Sequence, residues 1–233
     1  MNLAFSTTKV LLLLGGLLLI LSFASISMGS LDIPMGETVS AIFGGKGSKW
    51  HDIIWEFRLP RTLTCILAGI ALASSGLMMQ TLFRNPLAGP DVLGLSSGAS
   101  LLVAILILGG TQGAIFLSEL SLSPWGIALA ASLGSGLVFG LIIAAAQKVK
   151  DNVSLLIIGL MIGAAAASMV TALQFLSKAD DLQAFVIWTM GSVGGTGWSE
   201  INVLMLITII GITLAIGSSK SLNTLLLGEN YAQ

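Results

Sequence analysis

Apolar residues in this chain come in long unbroken runs, and the polar residues are gathered between the runs. The runs cover residues 10–26, 62–83, 93–108, 125–147, 153–176 and 201–216. A helix that is apolar all round belongs in a lipid environment, and about 20 residues cross a hydrocarbon core of about 30 Å. The pattern predicts an all-α, polytopic transmembrane bundle of about six spans, forming one domain over residues 1–233. Lys9 before the first run suggests a signal peptide as a rival reading. That run exceeds the usual apolar length of about 7–15 residues, so it is read as an uncleaved first helix.

The segments between the runs carry their own signals. Residues 29–57 form the longest polar stretch, with a short surface helix expected over 36–43. A Gly/Ser/Pro-rich link covers 109–124, and Lys148, Lys150 and Asp151 mark a polar turn. Residues 182–190 are apolar but too short to span, which suits an interfacial or re-entrant helix broken by the glycines of 191–197. Arg58 and Arg61 stand one helical turn apart around Pro60, a residue tolerated in a helix's first turn. After the second run come Arg84, Asn85, Pro86 and, shortly, Pro90. Neither proline donates a backbone hydrogen bond and each disfavours helix in the residue before it, so 85–91 reads as a stiff, sharply turned loop.

Composition sharpens the class. Hydrophobic residues make up 55% of the 233 and charged ones only 9%, against about 25% in soluble domains. Mean hydropathy is +0.98. The basic residues form no patch, so no nucleic-acid partner is expected. With Cys65 and His51 the only residues of their kinds, no intrachain His/Cys metal cluster and no cofactor are expected. Counted over short loops, positive charge favours the cytoplasmic side for Arg84, Lys148 and Lys150, with Arg58 and Arg61 outside.

Several motifs bear on chemistry. Gly94-Leu95-Ser96-Ser97-Gly98 matches the G-x-S-x-G pattern of serine hydrolases, but that reaction needs a base, and His51 lies in the polar stretch before the second span. An intramembrane hydrolase is the alternative from another class. The run Gly44-Gly45-Lys46-Gly47-Ser48 lacks the spacing of a phosphate loop and reads as a turn. Gly136/Gly140 and Gly159/Gly163 are small-residue pairs suited to helix packing, as are Gly69, Ala73 and Ser74. Gln80 and Gln174 are polar within spans, where such groups face protein or a water-filled path.

Four ordered motifs, R-L-P-R-T-L, S-G-L-M-M-Q, N-P-L-A-x-P and L-G-x-S-x-G-A, lie within residues 57–100. On these the chain resembles the FecCD-type permeases of ATP-driven importers for iron–siderophore, haem and cobalamin complexes, in the bacterial inner membrane. The resemblance implies alternating access, a second permease copy, a cytoplasmic ATPase and a periplasmic or lipid-anchored binding protein. It assigns binding-protein docking to Arg58 and Arg61, against a bland alternative of arginines snorkelling to headgroups. It assigns a cytoplasmic gate to Asn85, Pro86, Leu87 and Asn152, and a place on the translocation path to Gln174. It likens Leu222, Leu225, Gly228 and Glu229 to the start of the ATPase-coupling segment. Family members have about ten spans, roughly a hundred residues more at about 20 a span. A truncated, non-transporting fragment of the same ancestry is therefore the alternative reading.

Overall fold

The computed structural model describes residues 6–44, 48–110, 123–149 and 151–227, and among these every regular element is helical. The elements are α1 (Thr7–Ser27), α2 (Met35–Phe43), α3 (Leu59–Phe83), α4 (Leu95–Gly110), α5 (Pro124–Ala146), α6 (Asn152–Leu176), α7 (Ala179–Thr189) and α8 (Trp198–Leu227). Five helical stretches are long and apolar enough to cross a bilayer: Thr7–Ser27, His51–Phe83, Pro124–Ala146, Asn152–Leu176 and Trp198–Leu226. The remaining expected span is α4, whose 16 residues make it about 24 Å long at 1.5 Å per residue. Large apolar side chains such as Leu12 and Leu19, each 72% exposed, cover the outer faces. Such exposure is costly in water and ordinary in lipid.

The chain divides into two compact units, residues 1–71 with 193–212, and residues 72–192 with 213–233. In the first, Ile26, Ile33, Ala41 and Ile54 form the core. Indole and hydroxyl groups tie its segments together. Trp55 Nε1 donates to the Ala41 carbonyl at 3.1 Å and Trp198 Nε1 to the Trp55 carbonyl at 2.9 Å. Ser25 and Thr62 hydroxyls lie 3.2 Å apart, and Thr64 Oγ1 donates to Thr196 Oγ1 at 3.1 Å. Lys49 sits 5.1 Å from the Trp50 ring centre, and Trp55 stacks on Trp198. Tryptophans with a cation beside them mark the level where a bilayer meets water.

Pro60 departs from the sequence expectation. The helical path into α3 starts at His51, through a turn at His51–Ile53 and a π-helical segment at Ile54–Arg58, so Pro60 is well inside it. Proline removes one i→i−4 bond and crowds the preceding turn. The π segment widens that turn, with the Leu59 N–H reaching back to the Ile54 carbonyl, and the helix continues.

In the second unit α4 is the central element, packed on α5, α6 and α7. Glycines permit the closest approaches. A Cβ on Gly134 would come within 2.1 Å of the Gly98 carbonyl oxygen, and one on Gly159 within 2.8 Å of the Leu93 Cα. The expected Gly159/Gly163 pair is thus used, against Leu93 and Gly94. The expected Gly136/Gly140 pair faces open space, and the α4–α5 crossing runs instead through Gly98 and Gly134. Helix α8 extends eleven residues past the expected end at 216. Ser219 and Thr224 hydroxyls bond back to the Ile216 and Ser221 carbonyls, so this polar stretch does not interrupt the helix.

Candidate functional site

In the first unit, Arg58 and Arg61 line a cleft of about 720 Å³ with Ser25, Phe57 and Cys65. The two arginines differ in state. Arg58 is half-buried, and its Nη1 donates at 2.7 Å to the carbonyls of both Ile26 and Ser27, with Nη2 bonded to the Leu31 carbonyl. Ile26 and Ser27 end α1, where helical carbonyls lack partners and the helix dipole favours a cation. Gly29 gives the guanidinium room, since a Cβ there would lie 3.0 Å from Nη2. Arg61 is exposed and makes no hydrogen bond or ion pair among the described residues.

In the second unit, α3 ends in a Schellman motif. The Asn85 N–H donates to the Gln80 carbonyl at 3.1 Å and the Arg84 N–H to the Thr81 carbonyl at 3.2 Å. Arg84 takes the left-handed conformation at φ 49°. Two tight turns then follow, each with a proline second. The Ala88 N–H bonds the Asn85 carbonyl around Pro86, and the Val92 N–H bonds the Gly89 carbonyl around Pro90. Asn85 Oδ1 accepts from the Leu87 N–H at 2.9 Å, an Asx-turn that stiffens the tip further. Ala88 and Leu93 anchor the loop in the core, while Leu87 at the tip is 82% exposed. Asn152 joins this site, its Nδ2 3.4 Å from the Leu82 carbonyl in the last turn of α3. The N-cap of α6 is Asp151, whose carboxylate accepts from both Ser154 Oγ and Ser154 N at 2.8 Å. Those bonds, the hydroxyl one foremost, hold its pKa below the ordinary 3.8.

Gln174 lines a cleft of about 340 Å³ between α4, α6 and α7. Its other polar walls are Ser96, Ser97, Ser100, Thr171 and Thr189, all neutral hydrogen-bonding groups. Sequence reasoning singled out Gln174 but passed over the hydroxyls. The signal for them was present in Ser96/Ser100 and Ala167/Thr171/Gln174, which recur at helical spacing on α4 and α6. The Ser96 hydroxyl donates to the Asp91 carboxylate with no imidazole between them, while His51 Nδ1 lies 3.1 Å from the Ala41 carbonyl. Leu222 and Leu225 sit half-buried in the last turns of α8, whereas Gly228 and Glu229 lie outside the described residues.

Residues 17–233 match the model of the FecCD transport family. The chain belongs to that family. As a FecCD-family chain it is a multi-pass protein of the bacterial inner membrane, in keeping with the five membrane-capable helices among the described residues. It is 34% identical over 217 residues to the vitamin B12 import system permease protein BtuC of Klebsiella pneumoniae, covering 93% of this chain and 61% of that one. BtuC of Salmonella paratyphi A is likewise 34% identical, over 96% of this chain and 64% of its own. The chain thus spans less than two thirds of the length of these relatives. A solved structure described as an inward-facing conformation of a metal-chelate type ABC transporter superposes with a TM-score of 0.78. The match has 27% identity and covers 97% of this chain and 67% of that one.

Proposed function

We propose that this FecCD-family chain serves as a permease subunit of an ATP-driven importer for a bulky metal chelate, with cobalamin the favoured cargo. The observation that carries the reading is the match of residues 17–233 to the family. Cobalamin is favoured because the BtuC relatives, which import vitamin B12, share 34% of residues with it. In this reading two permease copies flank the path and a separate ATPase supplies the energy. A binding protein delivers cargo on the outer side, and the copies alternate between outward- and inward-open states.

The residues take distinct roles. Arg61, exposed and without an ion pair among the described residues, offers a directional charge-assisted bond to a carboxylate of the binding protein. Arg58 holds the end of α1 so that the surface around Arg61 is fixed. Asn85, Pro86 and Leu87, braced by Asn152, form a rigid tip that meets its copy across the path and seals it. Gln174 and the surrounding hydroxyls wet the path without binding cargo strongly, because weak neutral contacts let it leave. Leu222 and Leu225, with Gly228 and Glu229 beyond them, transmit motion from the ATPase.

Uptake tests the reading. In vesicles holding this chain with the matching ATPase and a binding protein, labelled cyanocobalamin should accumulate when ATP is supplied. Accumulation of a ferric siderophore in its place would move the cargo assignment. Failure of every family ligand to accumulate would remove the permease role for this chain.

A further inference from the structure

Helix α2 carries two apolar faces, and the core uses only one. Thr38 and Ala41 are fully buried, and Ala41 and Ile42 pack with Ile26, Ile33 and Ile54. Met35, Val39 and Phe43 are instead 68%, 44% and 84% exposed. They stand four residues apart, so at 3.6 residues per turn they fall within about 80° of arc. Glu37 and Ser40 are exposed on the other flank, where they line a cleft with Gly44, Ser48 and Lys49. The buried face thus has an apolar flank on one side and a polar flank on the other.

The level of α2 is fixed by what it touches. Ile26 is the penultimate residue of α1, and Ile54 opens the π segment that leads into α3; both helical stretches are long and apolar enough to cross a bilayer. Trp55 Nε1 and His51 Nδ1 each lie 3.1 Å from the Ala41 carbonyl, and Trp50, with Lys49 beside its ring, packs against the same core. Helix α2 therefore rests where two spans leave the hydrocarbon, among the indoles that favour that boundary. With nine residues, about 14 Å, it is too short to cross.

We propose that α2 lies in the bilayer interface, with Met35, Val39 and Phe43 set among the upper acyl chains of one leaflet and Glu37 and Ser40 turned to water. Lipid covers the apolar flank because α2 packs against the end of a span whose own surface is lipid-clad. A soluble partner would bring a polar rim, and the one charged residue of α2, Glu37, is on the other flank. The insertion needs no net charge and no particular headgroup. It requires that α1 cross a membrane and does not depend on transport.

Spin labelling of the full chain in phosphatidylcholine vesicles, in a Cys65→Ser background, tests this. Nitroxides at Met35→Cys, Val39→Cys and Phe43→Cys should collide several-fold more with oxygen, which partitions into lipid, than with a water-soluble nickel chelate. Their depth should be about 5–10 Å below the headgroup boundary. Labels at Glu37→Cys and Ser40→Cys should show the opposite preference, and Leu12→Cys in α1 should report the hydrocarbon interior. Bimane on Phe43→Cys should also be quenched by phosphatidylcholine brominated on its acyl chains. Preference for the nickel chelate at all five α2 sites, or no quenching of the bimane, would overturn the proposal by placing the helix in water. Exclusion of both reagents at Met35→Cys, Val39→Cys and Phe43→Cys would overturn it by showing a protein surface over the flank. Loss of hydrocarbon depth at Leu12→Cys as well would remove the spanning of α1 itself, a separate failure.

Discussion

Arginine serves three different ends in this chain, and each can be separated by substitution. Arg58 spends its donors on the carbonyls of Ile26, Ser27 and Leu31, so Arg58→Gln should destabilise by about 2 kcal/mol, the worth of charged hydrogen bonds in partly buried settings. Arg61 has no such partner among the described residues, and Arg61→Gln should shift stability by no more than about 0.5 kcal/mol while weakening the proposed binding-protein capture at low salt. Thermal unfolding in detergent distinguishes the two. Arg84 carries backbone strain, and Arg84→Gly should stabilise by about 1 kcal/mol. Asp151 supplies the pH dependence. Its pKa is lower folded than unfolded, so its contribution is fully present above the ordinary 3.8 and disappears as pH falls through the lowered folded value. The protection factor of the Ser154 amide, taken against its intrinsic exchange rate at each pH, should therefore hold at neutral pH and fall only under strong acid, and in Asp151→Asn that acid-induced fall should shrink.

Helices α4, α5 and α6 owe their packing to glycine backbones more than to side-chain volume. A methyl on Gly134 would meet the Gly98 carbonyl oxygen at 2.1 Å. Gly134→Ala should accordingly cost about 1–3 kcal/mol, the usual cost of overpacking. Gly136→Ala, two residues on and facing open space, should be neutral or slightly stabilising, since alanine is the better helix former. Unfolding the pair of variants side by side reads the contrast directly. Much at this scale was legible in the sequence. Continuous apolar runs placed most ends of the long helices to within a few residues, the upstream path into α3 and the end of α8 excepted; Pro86 and Pro90 announced the turns, and the short apolar stretch became α7. The rest depended on geometry that spacing does not carry. A G-x-x-x-G pattern is present in both Gly136/Gly140 and Gly159/Gly163, but only the approach of Leu93 and Gly94 selects the second. Pro60 gave no sign of the π segment that accommodates it, because the helix extends upstream through residues as polar as His51 and Asp52. The division of labour between Arg58 and Arg61 is likewise invisible until the end of α1 comes into place beside one of them.

At the scale of the whole molecule, family membership and the helical, lipid-compatible surface of the described residues support the proposed transport path, with the stiff loop at its border. That loop is fixed by two proline turns, an Asx-turn and the bond from Asn152, so it should move as a body with the ends of α3 and α6. Disulfide trapping of Leu87→Cys in a Cys65→Ser background tests this most directly, with two permease copies assembled on their ATPase in membranes. Crosslinking between copies should be strong in one nucleotide state and fall several-fold in the other. Equal crosslinking with and without nucleotide, or none in either state, would contradict the placement of this loop at a moving seal.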